Sequence, residues 1–171
     1  MIYPCVYFLY PVIAHEYDWL YDTPYPVYYI GSTFNIRRRL SNHVYQLKNN
    51  KHPTKYLQRD FNILNQRCYR HPHPQLIYGL IWTLTPQLLN KFHLTPTFRF
   101  EEAYKYGFNW SKTNEDYILR QVERHIIVTN YKILYNFRVC KEIEISMPSP
   151  HQSFKDFIEQ GLVHKPYKIE I

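Results

Sequence analysis

Within VYYIGSTFNIRRRLSNH, residues 27–43, Arg39 and His43 lie four apart, so on a helix they stack on one face. That face borders an apolar stripe of Ile36, Leu40, Val44 and Leu47, which aims both side chains beside a core instead of straight into solvent. An arginine is always protonated and grips phosphate through two parallel hydrogen bonds, so it suits charge developing on a phosphoryl group. Glu123 falls in the middle of a second apolar helical face, between Leu119 and Ile127 and beside Val122 and Ile126. Burying an unpaired carboxylate is costly, so Glu123 either pairs with a buried arginine or serves chemistry.

The charge around these residues points the same way. The chain carries 21 Lys+Arg against 14 Asp+Glu, a formal net charge of +7. Nine of the basic residues lie between Gly31 and Arg70, where Asp60 is the one acid, and the rest of the chain is close to neutral. Such a concentrated basic stretch favours a polyanionic partner. Arg37 and Arg38 read either as phosphate contacts or as a solvated helix face.

The elements that must position these residues follow from periodicity. CVYFLY reads as a strand that stops at Pro11, VYYIG as a second strand antiparallel to it, and QLIYGLIWTL as a third. Gly31 reads as the end of the second strand, where a side chain would crowd an approaching phosphate. A first helix opens at Asn35 as N-cap, and a second runs from about Pro53 to Asn65 with Tyr56, Leu57, Phe61 and Leu64 on its apolar side. Thr85-Pro86 and Thr95-Pro96 each read as an N-cap followed by proline, opening two short helices. TNEDYILRQVERHIIV is a long helix with Thr113 and Asp116 arranged like a capping box, and a last helix begins near Ser153 before a final YKIEI.

At 171 residues, with 45% hydrophobic and 20% charged composition, the chain is expected to form one globular unit with a single core. The three cysteines, Cys5, Cys68 and Cys140, make neither a disulfide framework nor a zinc pair, so an intracellular, reducing compartment is expected, cytoplasm or an organelle matrix. The apolar start lacks the basic n-region and cleavage site of a signal peptide, and LIYGLIW is far too short to span a bilayer. No membrane partner is expected. Cys68-x-x-His71-x-His73 has zinc-type ligands but no partner pair, and Glu115 sits where a helix dipole favours an acid.

Taken together the segments resemble the GIY-YIG nuclease superfamily. YIGST followed by NIRRRLSNH is similar to the family's second strand and first helix, with Tyr29, Gly31 and Arg39 in the motif and His43 one turn further on. KHPTKYLQRDF is similar to the next helix, and RQVERHIIV running on to ILYN resembles the segment with the metal-binding glutamate and a downstream asparagine, here Glu123 and Asn136. The resemblance covers about residues 4–137. CVY stands where the family has GIY, so Tyr7 is the equivalent first tyrosine without its glycine, and Tyr10 and Tyr21 remain as alternatives.

The resemblance implies an α/β GIY-YIG-like fold: a small central antiparallel three-stranded sheet flanked by helices, with inserted helices and a C-terminal extension. The nuclease domain would span 1–139, with an insertion at about 85–112, and residues 140–171 would form an extension packed on the same domain. It implies a Mg²⁺-dependent, or Mn²⁺-dependent, endonuclease of homing or restriction type acting on double-stranded DNA. Tyr7 and Tyr29 would assist water attack, Arg39 would hold the phosphate, Glu123 the metal, and Asn136 would help fix the site; His43 would relay a proton or give a positioning hydrogen bond. Arg37, Arg38, Lys48, Lys51, Lys55 and Arg59 would grip the flanking backbone. The alternative is a catalytically inactive nucleic-acid-binding protein that kept the fold. RNA as substrate, the target, nicking against double-strand cleavage, and monomer against homodimer stay open.

Overall fold

The computed structural model describes residues 3–12, 29–67, 75–92, 115–130, 152–163 and 169–170. It is a mixed α/β structure built on a small antiparallel sheet. Strand β1 (Cys5–Val12) lies between β2 (Tyr29–Thr33) and β3 (Gln75–Thr83), and a two-residue strand β4 (Ile169–Glu170) extends the far side of β3. Helices α1 (Ile36–Lys48) and α2 (Lys55–Arg67) follow β2, and α3 (Pro86–Lys91), α4 (Glu115–Asn130) and α5 (Gln152–Gly161) follow β3.

Alternation along β1 divides the core in two. Tyr7 and Leu9 face one way and pack with Leu40 and Leu47 of α1, Leu57 and Phe61 of α2, and Leu76 and Tyr78 of β3. Val6 and Phe8 face the other way, toward a larger cluster that holds Trp82, Ile118 and Val122 of α4, and Phe157 of α5. The β1–β3 register slips by one residue between Val6 and Tyr7. That irregularity lets consecutive residues Ile81 and Trp82 both pack on the α4–α5 side, which strict alternation forbids. The Trp82 indole N–H donates to the Ile158 carbonyl at 3.0 Å, and Val163 N–H donates to Ile81 O at 2.9 Å, tying α5 and its exit to β3.

The expected first strand, second strand and third strand all form, with the third ending one residue early at Thr83 and the ends of the first two changed. β1 does not stop at Pro11 but runs to Val12, with Pro11 opposite Leu76. Among the described residues, β2 pairs with Cys5–Leu9 of β1. Likewise β2 does not end at Gly31 but continues to Thr33 opposite Cys5.

Asn35 caps α1 as expected, its Oδ1 accepting from Arg38 N–H, and Thr85 caps α3 by accepting from Leu88 N–H. α2 begins two residues later than expected, because Pro53 precedes the first helical hydrogen bond, from Gln58 N–H to Thr54 O. Leu57, Phe61 and Leu64 are buried, but Tyr56 turns out to solvent, where the Arg59 guanidinium lies 5.2 Å from its ring centre. Cys5 is a free, buried thiol, pushed up to about 12 by burial. No helix among the described residues is long and apolar enough to cross a membrane. Thr95-Pro96, Thr113, the Cys68–His73 segment and Cys140 lie outside the described residues, and nothing is described of the Glu115 side chain.

Candidate active site

Strand parity puts the two tyrosines of the motif on the α1–α2 side of the sheet. Tyr7 is opposite Gly31 and Leu9 is opposite Tyr29, so the Tyr7 and Tyr29 rings lean toward each other across the strand pair, with centroids 6.4 Å apart. A Cβ built on Gly31 would stand 2.7 Å from the Tyr7 hydroxyl oxygen and 2.9 Å from the Tyr29 ring. These two rings therefore already give a reason for glycine at this position.

Helix α1 delivers the next two groups. Arg39 Nε donates to the Tyr7 hydroxyl at 3.2 Å, and His43 Nε2 lies 2.7 Å from the same oxygen. The i, i+4 spacing thus aims both side chains at one phenol. His43 is nearly inaccessible, at 2% exposure, and the Tyr29 ring meets its imidazole edge-on with centroids 5.1 Å apart.

The turn between α1 and α2 adds a residue that sequence periodicity does not reveal. Asn50 adopts a left-handed φ of 55°, and the N–H groups of Asn50 and Lys51 bond back to Leu47 O and Gln46 O, closing α1 in a Schellman arrangement. The chain reverses there and sets His52 Nε2 2.8 Å from His43 Nδ1, the two rings stacked at 5.0 Å. On its other side His52 Nδ1 accepts from Thr54 N–H at 3.1 Å. Buried Gln58 clamps the turn, its amide donating to Leu47 O and its oxygen accepting from His52 N–H. His52, Thr54 and Gln58 were not among the sequence candidates.

Burial dominates the electrostatics. It raises the Tyr7 hydroxyl, with Tyr29 and Glu123 adding to the rise and Arg39 opposing it, and it raises Tyr29 in the same way. It lowers His43 to about 3, helped by Arg39 and His52. Burial likewise lowers His52 to about 4, with Arg39 again adding to the depression. Both imidazoles are neutral at physiological pH, and a neutral His52 is what the direct Thr54 N–H contact to Nδ1 requires.

Glu123 approaches from the other face of the sheet. Ser32 shares that face with Ile30, and its hydroxyl donates to the Glu123 carboxylate. No Lys, Arg or His among the described residues makes an ion pair with Glu123. Burial raises the carboxyl, and the Ser32 hydrogen bond and Arg39 pull it back in part. No group of three or more His, Cys, Asp or Glu that could hold a metal exists among the described residues. A lone carboxylate with a hydroxyl beside it is nevertheless a hard-oxygen donor set of the kind Mg²⁺ takes when substrate phosphate and water complete its shell. The donors fit that ion.

Five of the six expected site residues are thus described: Tyr7, Tyr29, Arg39 and His43 converge, and Glu123 joins them around the β2 edge through Ser32. Asn136 lies outside the described residues. Arg37, Arg38, Lys48, Lys51, Lys55 and Arg59 are all exposed. Lys55 and Arg59 line an open cleft of about 510 Å³ beside His52, away from Tyr7 and Glu123. Gln58 donates to Asn62 there and Asn62 to Asn50, while Arg59 pairs with Asp60. Comparison of the chain with protein-family models, with curated proteins and with solved structures gave no match.

Proposed function

We propose that the protein is a Mg²⁺-dependent DNA endonuclease of the GIY-YIG type that hydrolyses phosphodiester bonds. The observation that carries this reading is the convergence of Arg39 and His43 on the Tyr7 hydroxyl, across the strand pair from Tyr29 and Gly31. Strand and helix residues 32 and 36 positions apart in sequence meet at one oxygen, which supports the motif resemblance.

Phosphodiester hydrolysis needs a directed water, stabilisation of the extra charge on the phosphoryl oxygens, and help for the departing alkoxide. Arg39 is half-buried beside the tyrosines and permanently charged, which suits it to the phosphoryl oxygens. Tyr7 orients the water through its hydroxyl, and Arg39 favours the phenolate that would take up a proton while burial opposes it. Glu123, with Ser32 against it, would hold Mg²⁺, which when bound polarises phosphate oxygen and eases departure of the leaving oxygen. The exposed basic residues of α1, the turn and α2 supply backbone contacts on double-stranded DNA. The chemistry suits homing and restriction roles equally; a methyltransferase gene next door would favour restriction, and an interrupted host gene homing.

The test is cleavage of plasmid and genomic DNA in Mg²⁺ or EDTA by the wild type, Glu123→Ala and Arg39→Ala, with the ends sequenced. Cleavage by the wild type alone, abolished by EDTA, is expected. Wild-type protein that binds DNA but leaves it intact with every metal, and both variants binding alike, would turn the reading to an inactive nucleic-acid-binding protein.

A further inference from the structure

The hydrogen-bond chain that ends on Tyr7 has a direction, and the direction is set at its far end. A backbone N–H is a donor under all conditions, so Thr54 N–H at 3.1 Å requires a lone pair on His52 Nδ1. A neutral imidazole with its lone pair on Nδ1 carries its proton on Nε2. His52 Nε2 therefore donates across 2.8 Å to His43 Nδ1, which must be the acceptor. His43 then carries its own proton on Nε2, 2.7 Å from the Tyr7 oxygen. The opposite orientation would set a proton on His52 Nδ1 against the Thr54 N–H.

We infer that His52 is a positioning residue: anchored by the Thr54 N–H, it holds His43 as a hydrogen-bond donor to Tyr7, so that the Tyr7 hydroxyl proton is turned away from both His43 and Arg39. Two consequences follow for the site. The Tyr7 oxygen receives one hydrogen bond from His43 Nε2–H and one from Arg39 Nε–H, so its own O–H has to point to a third partner. His43 is also barred from acting as the proton acceptor for Tyr7, because a second proton on Nδ1 would meet the Nε2–H of His52. Of the two roles open to His43, this selects the positioning hydrogen bond over the proton relay. The depressed basicity of both rings agrees with that choice.

The structural part of the inference stands on the hydrogen bonds alone, and its effect on turnover rests on the endonuclease reading. Two measurements keep them apart. In the full-length protein labelled with ¹⁵N-histidine, long-range ¹H–¹⁵N correlation spectra at neutral pH read each tautomer directly. Both His43 and His52 are expected with Nε2 protonated and Nδ1 bare; a proton on Nδ1 of either ring overturns the inference, whether or not the protein cleaves DNA. In cleavage assays, His52→Leu removes the donor to His43, while His52→Gln keeps an amide N–H there. The expected result is a fall in kcat of about tenfold to a hundredfold for His52→Leu with DNA affinity unchanged, and recovery to within about threefold of wild type in His52→Gln. Equal losses in the two variants overturn the positioning role. If the wild type has the expected tautomers but cleaves nothing, the endonuclease reading fails and the tautomer assignment survives.

Discussion

Gly31 and Tyr7 are partners across the β1–β2 ladder, and a Cβ on Gly31 would lie 2.7 Å from the Tyr7 hydroxyl oxygen. Tyr7 has no room to retreat, since it is fully buried and held by Arg39 and His43. Gly31→Ala is therefore expected to destabilise the fold by about 1–3 kcal/mol through overpacking. Because the displaced atom is the hydroxyl that the proposed reaction uses, that proposal predicts that cleavage falls further than the stability loss accounts for. Urea denaturation together with kcat at a temperature where the variant is folded separates the two effects; full activity in a folded Gly31→Ala protein would contradict the contact.

Gly31 also illustrates what the sequence could and could not reveal. That a glycine in YIG has a purpose was legible, but its neighbour was not, because that depends on which residue of β1 stands opposite. Arg39 and His43 were legible as a pair because helical spacing alone stacks them. Leu40, Leu47, Leu57, Phe61 and Leu64 were legible as core by the same period, and all five are buried. Tyr7 over Tyr10 is a matter of parity: Tyr7 shares a face with Leu9, and Tyr10 falls on the opposite one. His52 could not be read, since its approach to His43 depends on the left-handed turn at Asn50, which no spacing rule encodes. Ser32 was hidden for a related reason, standing one residue from Gly31 and hence on the other side of the sheet.

The carboxylate of Glu123 is half-buried and makes no ion pair among the described residues, and burial raises its pKa above the ordinary 4.5 although Ser32 and nearby arginines pull it back in part. The folded chain then holds that proton at pH values where the unfolded chain has lost it, so this group subtracts stability as pH rises from about 4.5 upward. A divalent cation reverses the cost by favouring the carboxylate. Mg²⁺ should raise the wild-type Tm at neutral pH, with no comparable rise in Glu123→Gln, whose Tm without metal should equal or exceed that of the wild type. Cleavage by Glu123→Gln should fall by about a hundredfold or more. An equal Mg²⁺ shift in both proteins would remove the metal from this carboxylate.

His43 and His52 carry the opposite sign. Their basicity is depressed in the fold to about 3 and about 4, while an unfolded histidine titrates near 6.5. Below about pH 6.5 the unfolded chain takes up protons that the folded chain refuses, so stability falls as pH falls and continues to fall to about pH 4. Each ring contributes on the order of 1 kcal/mol per pH unit in that window. Urea midpoints taken from pH 7.5 to 5 should show this slope, and His52→Leu should reduce it by roughly half. A flat profile would mean that the two rings are not buried as a neutral pair.

On the far face, Gly161 ends α5 directly against Trp82. A Cβ there would stand 2.1 Å from the indole Nε1, whose N–H is already committed to Ile158 O, and Trp82 has no exposed surface into which to shift. Gly161→Ala should cost about 1–3 kcal/mol in chemical denaturation. Since this contact is remote from Tyr7, kcat below the unfolding transition should stay within about twofold of wild type, in contrast to Gly31→Ala.

The three consecutive arginines of α1 should separate by kind of defect. Arg37 and Arg38 are exposed, whereas Arg39 is half-buried with its Nε on Tyr7. A solvated arginine that neutralises one phosphate acts through counterion release, so Arg37→Ala and Arg38→Ala should each weaken DNA binding and lower the slope of log K against log salt by about 1. Their kcat at saturating DNA should be unchanged. Arg39→Lys keeps the charge but loses the planar fork and the Nε donor to Tyr7, so its binding slope should match the wild type while kcat drops by about a hundredfold. Titrations at several salt concentrations, paired with single-turnover cleavage, distinguish the two behaviours. Arginines that all altered the salt slope equally and left kcat alone would make Arg39 one more backbone contact, and the Tyr7 cluster would lose its charge-stabilising member.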